Sequence, residues 1–189
     1  DMSAQARERL DIIAEQAKRG STIIKGLLNF ARQSDPALRD VRDADINAVV
    51  TDVVNILRTE AEKRAITVKT ELRPLPVIKA DRRQMEQVIL NMALNSFQAI
   101  KHGGEIRIRT SAGARFLKIV IEDDGPGIPH TIRTRIFDPF FTTKPVGEGT
   151  GLGLSICAGI VSEHGGSIEV ESGEGKGATF VITLPVRSS

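Results

Sequence analysis

The stretch from residue 123 to residue 154 constrains this chain more than any other. It opens on Asp123-Asp124-Gly125-Pro126-Gly127-Ile128-Pro129 and closes on Gly147-Glu148-Gly149-Thr150-Gly151-Leu152-Gly153-Leu154. The alternating segment Phe116–Glu122 runs straight into the first cluster and reads as a strand. The residues after the second cluster, about Leu152–Glu163, read as a helix. Between them the glycines and prolines exclude a regular element over most of the length, so residues 123–150 are predicted to be a long ordered loop with a short helical piece.

Each cluster has a chemistry. Asp-x-Gly-x-Gly places a carboxylate at a strand end, and its glycines let the backbone turn sharply and approach a flat ligand. A buried, acceptor-only carboxylate suits an exocyclic amine such as adenine N6. Read alone, the pattern is equally an ordinary Asp-Gly turn. A glycine-rich loop entering a helix presents free N–H groups and the positive end of the helix dipole to a phosphate. This one lacks the Gly-Lys-Ser/Thr ending of a Walker A loop and follows no parallel strand, so neither of the two common phosphate folds fits. Its bland alternative is a flexible linker.

The remaining elements give an α+β arrangement. Residues 1–33 carry a heptad seam of Ala6, Leu10, Ile13, Ala17, Gly20, Ile24, Leu27 and Ala31, which needs a partner helix. Ser34-Asp35-Pro36 ends it. Residues 34–45 form a polar linker with room for a short edge strand around Val41. Asp45 or Asn47 caps a helix to about Arg64, and Asp81 caps another from Arg82 to about Lys101. Strands are expected at Ile66–Leu72, Glu105–Ser111, Phe116–Glu122, Ser167–Glu171 and Ala178–Leu184. A mostly antiparallel set with interspersed helices predicts a sheet covered by helices on one face.

Composition narrows the function classes. Lys+Arg number 26 against 24 Asp+Glu, a net charge of +2. That balance gives no argument for nucleic acid or an anionic membrane. One cysteine, Cys157, leaves no disulfide framework and no Cys-rich zinc module. No run reaches the roughly 18 apolar residues of a membrane span. These features predict a soluble, cytoplasmic chain.

Two further groups bear on chemistry. Asn91 and Asn95 lie four apart on the second helix of the domain, with Gln87 and Gln98 about a turn to either side, so their side chains share a face. A carboxamide oxygen is a hard ligand of the kind that Mg²⁺ accepts beside its waters and phosphates. Solvated or structurally bonded asparagines are the alternative. Ile136-Phe137-Asp138-Pro139-Phe140-Phe141-Thr142-Thr143-Lys144 sits between the glycine clusters. Its three phenylalanines want a pocket, and Lys144 is placed to offer a cation to a terminal phosphate or to stay solvated.

Taken in order, these pieces resemble the ATP-binding catalytic domain of sensor histidine kinases, within the superfamily shared with gyrase, the mismatch-repair ATPase and a heat-shock chaperone. Gln87–Ala99 looks like the N box, Asp123–Gly127 the first glycine box, Phe137–Lys144 the F box and Gly149–Leu154 the second glycine box. The resemblance covers about residues 40–186, and Pro-Phe-Phe-Thr-Thr-Lys is similar to the nitrogen-regulator-like subgroup. It implies a two-layer α/β sandwich, a mixed sheet with helices on one face (the Bergerat ATP-binding fold), preceded by one long helix. The catalytic domain would span 46–187, with an ATP lid at about 125–150.

The resemblance also implies roles. Asn95 would bind Mg²⁺ and Asn91 would line the phosphate end, with Gln98 nearby. Asp123, beside Gly125, would read adenine N6 with Thr179 close to it. Gly127 and Ile128 would border the base. Gly149, Thr150, Gly151, Leu152, Gly153 and Leu154 would face the phosphates, and Lys144 would be a mobile cation. Asn91 and Lys144 are the residues expected to act in catalysis. The superfamily's hydrolases carry a water-activating glutamate where this chain has Asn91, which cannot accept a proton near neutral pH.

The implied reaction is γ-phosphoryl transfer to a histidine and relay to a response regulator receiver domain, in a homodimer joined through the 1–33 helix. That helix resembles the second half of a dimerisation hairpin. His102, His130 and His164 lack the expected mid-helix setting, so the acceptor-bearing first helix is expected to be missing and the chain unable to phosphorylate itself. An ATP hydrolase, a non-catalytic ATP-sensing module and a serine-directed kinase of the anti-sigma type are the alternatives.

Overall fold

The computed structural model describes residues 40–145 and 149–186. The heptad segment, the linker up to residue 39, and Gly147 and Glu148 lie outside the described residues. Among the described residues seven strands and four helices follow in the order β1 (Val41–Ala44), α1 (Ile46–Lys63), β2 (Ile66–Leu72), β3 (Ile78–Asp81), α2 (Arg82–Ile100), β4 (Gly104–Ala112), β5 (Phe116–Asp123), α3 (His130–Arg133), α4 (Gly153–Glu163), β6 (Ser167–Ser172) and β7 (Ala178–Pro185).

The helices begin where carboxylates can hold free amides. Asp45 Oδ1 accepts from the Ala48 amide at 3.1 Å. Of the two candidate caps it takes the role, and Asn47 serves elsewhere, donating to the Arg73 carbonyl and accepting from the Thr110 hydroxyl. Asp81 Oδ1 accepts from the Arg83 and Gln84 amides at 2.9 and 3.2 Å, while its Oδ2 takes the Asp40 amide. The Asp81 amide donates to His164 Nε2, and His164 Nδ1 meets the Ile160 carbonyl. That one cluster joins the chain's entry into the domain, the start of α2 and the end of α4.

Five strands form the main sheet in the order β2-β4-β5-β7-β6. β2 pairs parallel to β4, and the other neighbours are antiparallel. The parallel pair requires a crossover, and the chain between them supplies β3 and α2. β1 and β3 form a separate antiparallel pair. β3 was not expected from the sequence: Pro74 and Pro76 disguise a four-residue strand with too few alternations to register.

Alternation assigns the two faces of the sheet. Ile106, Ile108, Leu117, Ile119, Ile121, Phe180, Ile182 and Leu184 are buried against the helices. They meet Val49, Val50 and Val53 of α1, Val88, Ile89 and Met92 of α2, and Ile160 and Val161 of α4 in one core. Burial of each large side chain contributes roughly 1.5–3 kcal/mol. The opposite face is charged: Lys69 pairs with Glu105 and Arg109 with Glu122. One packed and one solvated face is the expected state of a sheet built mostly of antiparallel pairs. Among the described residues no helix is long and apolar enough to cross a membrane.

Candidate nucleotide-binding site

Asp123 ends β5 on its inward face and is buried. Its Oδ1 accepts from the Gly125 and Ala178 amides at 3.1 and 3.3 Å, and its Oδ2 accepts from the Ser96 hydroxyl at 2.9 Å. Burial pushes its carboxyl above the ordinary range, against the pull of these three donors, and the neighbouring Asp124 adds to the rise.

The turn after Asp123 is locked to the β6–β7 hairpin. The Gly175 amide donates to the Pro126 carbonyl at 2.7 Å, and the Ile128 amide to Ser172 Oγ at 2.8 Å. Gly127 has a φ of +76°, and a Cβ there would lie 2.0 Å from the Gly173 carbonyl oxygen. Here glycine is required twice over, by backbone conformation and by the neighbouring strand turn. Ser172 and this docked hairpin escaped sequence reasoning, because their contacts join positions more than forty residues apart.

One face of α2 forms the wall opposite the glycine loop. Asn91, Leu94, Asn95, Gln98 and Ala99 line a cleft of about 730 Å³, together with Asp123, Gly127, Ile128, Lys144, Gly149, Thr150, Gly151, Gly153 and Leu154. The volume lies within the usual range for small-molecule sites. Lys144 Nζ donates to Gln98 Oε1, so the F-box segment reaches across to α2. Asn91 Nδ2 points to Cys157 Sγ at 3.7 Å. Cys157 is itself buried, and burial lifts its thiol to about 12.

The described part of the glycine loop is fastened to the segment before it. The Phe140 amide donates to the Gly151 carbonyl at 3.0 Å, and a Cβ on Gly151 would sit 2.4 Å from the Phe140 carbonyl carbon. No side chain caps α4, whose first residues Gly153 and Leu154 border the cleft. The amides of an uncapped first turn are an anion site in waiting.

Three expected residues stand elsewhere. Thr179 is on the wrong side: it pairs with Glu122 and Glu171, whereas Asp123 pairs with Ala178. Side chains alternate along β7, so Ala178 and Phe180 line the cleft and Thr179 joins the outer face. Leu152 is buried in the core rather than facing the cleft. Gly125 is not a lining residue either; its amide holds Asp123. Sequence reasoning also missed Ser96, Leu94, Ile132, Ile136, Phe141 and Ala178. The inward phase of β5, continued across the strand pair, is the signal that points to Ala178.

Comparison with known proteins gives the family. Residues 80–188 match the family described as histidine kinase-, DNA gyrase B-, and HSP90-like ATPase, and the chain belongs to that family. It is 38% identical over 183 residues to the sensor histidine kinase ZraS of Escherichia coli (strain K12), covering 96% of this chain and 38% of ZraS. It thus spans well under half the length of that curated relative. Among solved structures, the catalytic domain of the histidine kinase ThkA superposes with a TM-score of 0.71 at 32% identity, over 77% of this chain and 97% of that one. ThkA in complex with the response regulator protein TrrA gives 0.77 at 28% identity, over 99% of this chain and 53% of that one. Full-length ShkA in complex with AMPPNP gives 0.81 at 26% identity, over all of this chain and 40% of that one. The mixed five-stranded sheet with its helices is the α+β fold of histidine kinase catalytic domains.

Proposed function

We propose that this chain is the ATP-binding catalytic part of a sensor histidine kinase, which presents the γ-phosphoryl of ATP to a histidine on a dimerisation helix for relay to a response regulator. The observation that carries this reading is the convergence of buried Asp123, the asparagine face of α2 and the uncapped start of α4 on one cleft. Asp123 accepts a hydrogen bond from adenine N6, and Gly127 and Ile128 border the base. The phosphates lie toward Asn91, Asn95 and the 149–154 loop.

The donor set fits Mg²⁺. Among the described residues no group of His, Cys, Asp or Glu could hold a metal, so a carboxylate-rich cage is not on offer. Asn95 would contribute a hard carboxamide oxygen beside the nucleotide's phosphates, a donor set that suits an ion keeping several waters. When bound, such an ion neutralises phosphate charge. The protein's own contribution is positioning: Lys144 supplies a cation, and the loop amides hold the phosphate oxygens in line with the incoming nitrogen.

Hydrolysis is the weaker reading. Asp123 is the one carboxylate among the described residues that line the cleft, and it is engaged at the base. Asn91 faces a protonated thiol and offers no base for water. Nor does His164 offer a free acceptor nitrogen, since both ring nitrogens bond to backbone. Residues 1–33, by their heptad sequence, are proposed to form the second helix of a dimerisation hairpin.

The test is phosphotransfer. With γ-labelled ATP and Mg²⁺, the chain alone is expected to acquire no acid-labile label, and a separately supplied acceptor-histidine hairpin should acquire it. Rapid steady-state release of inorganic phosphate with no labelled hairpin would favour the hydrolase.

A further inference from the structure

We propose that Ser96 is a positioning residue of the base site, its hydroxyl fixing the Asp123 carboxylate so that the remaining Oδ2 lone pair faces the purine amine. This rests on the reading of Asp123 as the adenine contact. Ser96 is 1% exposed and Asp123 5%, and the Ser96 hydroxyl donates to Asp123 Oδ2 at 2.9 Å. A serine inside a helix ordinarily turns its hydroxyl back to the carbonyl one turn earlier. This one reaches out of α2 to the end of β5 instead.

The division of donors gives the hydroxyl its importance. Oδ1 is saturated by two backbone amides, those of Gly125 and Ala178. Oδ2 receives one donor from the protein, the Ser96 hydroxyl, and keeps acceptor capacity for one more. An ionised carboxylate has about four lone-pair sites, so an exocyclic amine completes the set. The hydroxyl also favours the ionised form, which opposes the burial that raises the Asp123 carboxyl.

The groups around the carboxylate leave few other sources of pH dependence. α2 presents Ser96, β7 presents the Ala178 amide and the following turn presents the Gly125 amide. The adjacent Asp124 is the charged neighbour acting on it, and it raises the carboxyl further. Loss of the Ser96 hydroxyl therefore moves Asp123 protonation to higher pH, and with it the acid-side loss of amine recognition.

The test compares two ligands on the whole 189-residue chain. Mg·ATP and the triphosphate of purine riboside, which carries hydrogen in place of the 6-amine, are titrated calorimetrically. The ratio of the two affinities cancels the titration of their phosphates. Ser96→Ala should lower ATP affinity by about fivefold, the scale of one ordinary hydrogen bond lost, and leave the analogue nearly unchanged. As the pH is lowered, the ratio should fall at a higher pH in the variant than in the parent. Ser96→Cys, of similar volume with a weak donor, repeats the test with packing preserved and should move the ratio the same way. Equal losses on both ligands, or an unaltered ratio in both variants, overturn the proposal. A parent chain that does not distinguish the two ligands removes the adenine reading itself, and this proposal with it.

Discussion

Asp123 carries a cost that its surroundings only partly offset. Its carboxyl is raised by burial, so the folded state holds the proton more tightly than the unfolded chain does. Stability from such a group is fully present below the unfolded carboxylate value and is lost as pH rises through the folded one. At neutral pH the ionised side chain therefore works against the fold of the nucleotide-free protein. Asparagine is isosteric: its oxygen can accept from the Gly125 and Ala178 amides, and its nitrogen can donate to the Ser96 oxygen. Asp123→Asn is expected to melt higher than the parent near neutral pH without nucleotide, with the gap narrowing as pH falls toward the carboxylate range. A thermal melt at several pH values checks this, and a variant that melts lower at neutral pH would refute it. At this scale the sequence made Asp123, Asn91, Asn95 and Lys144 legible, because their spacing in the chain reflects their chemistry. It hid Ser96, a small residue whose role is visible only once a strand end from 27 residues away is beside it, and it misplaced Thr179 by one step of the strand.

Elements were legible wherever period and punctuation agreed. α1 and α2 start at the aspartates that cap them, and Gly103-Gly104 follows the end of α2 as expected. β4 through β7 follow their alternation closely. The parallel β2–β4 pairing and the short β3 are set by contacts between distant segments, which local pattern does not encode. Asp81 ties elements together: it caps the helix that bears Asn91, Asn95 and Gln98, and it holds the Asp40 amide. Asp81→Ala should cost about 1–2 kcal/mol, the upper part of the range for a lost N-cap. Urea denaturation should show a lower midpoint with an unchanged slope. A midpoint equal to the parent's would mean that water replaces the cap without penalty.

At the scale of the whole molecule, one sheet face is spent on the core and the nucleotide cleft opens between α2 and the glycine loop. The near-neutral charge gave no hint of a ligand carrying several negative charges. In the proposed reading the attraction is local instead, made of loop amides, the start of α4 and Lys144, within an overall balance of +2. The parts of the site fixed by backbone geometry were readable as glycines, and the parts fixed by packing of the β6–β7 hairpin on the Asp123 turn were not. A nucleotide held between Asp123 and α2 is tested by calorimetric titration of Mg·ATP into the parent chain, Asp123→Asn and Asn95→Ala. The parent should bind one nucleotide. Asp123→Asn should weaken binding about tenfold or more, as loss of a charged hydrogen bond at a buried site does, and Asn95→Ala should weaken the enhancement that Mg²⁺ gives to ATP binding. Unchanged affinity in both variants would contradict a nucleotide held between Asp123 and α2.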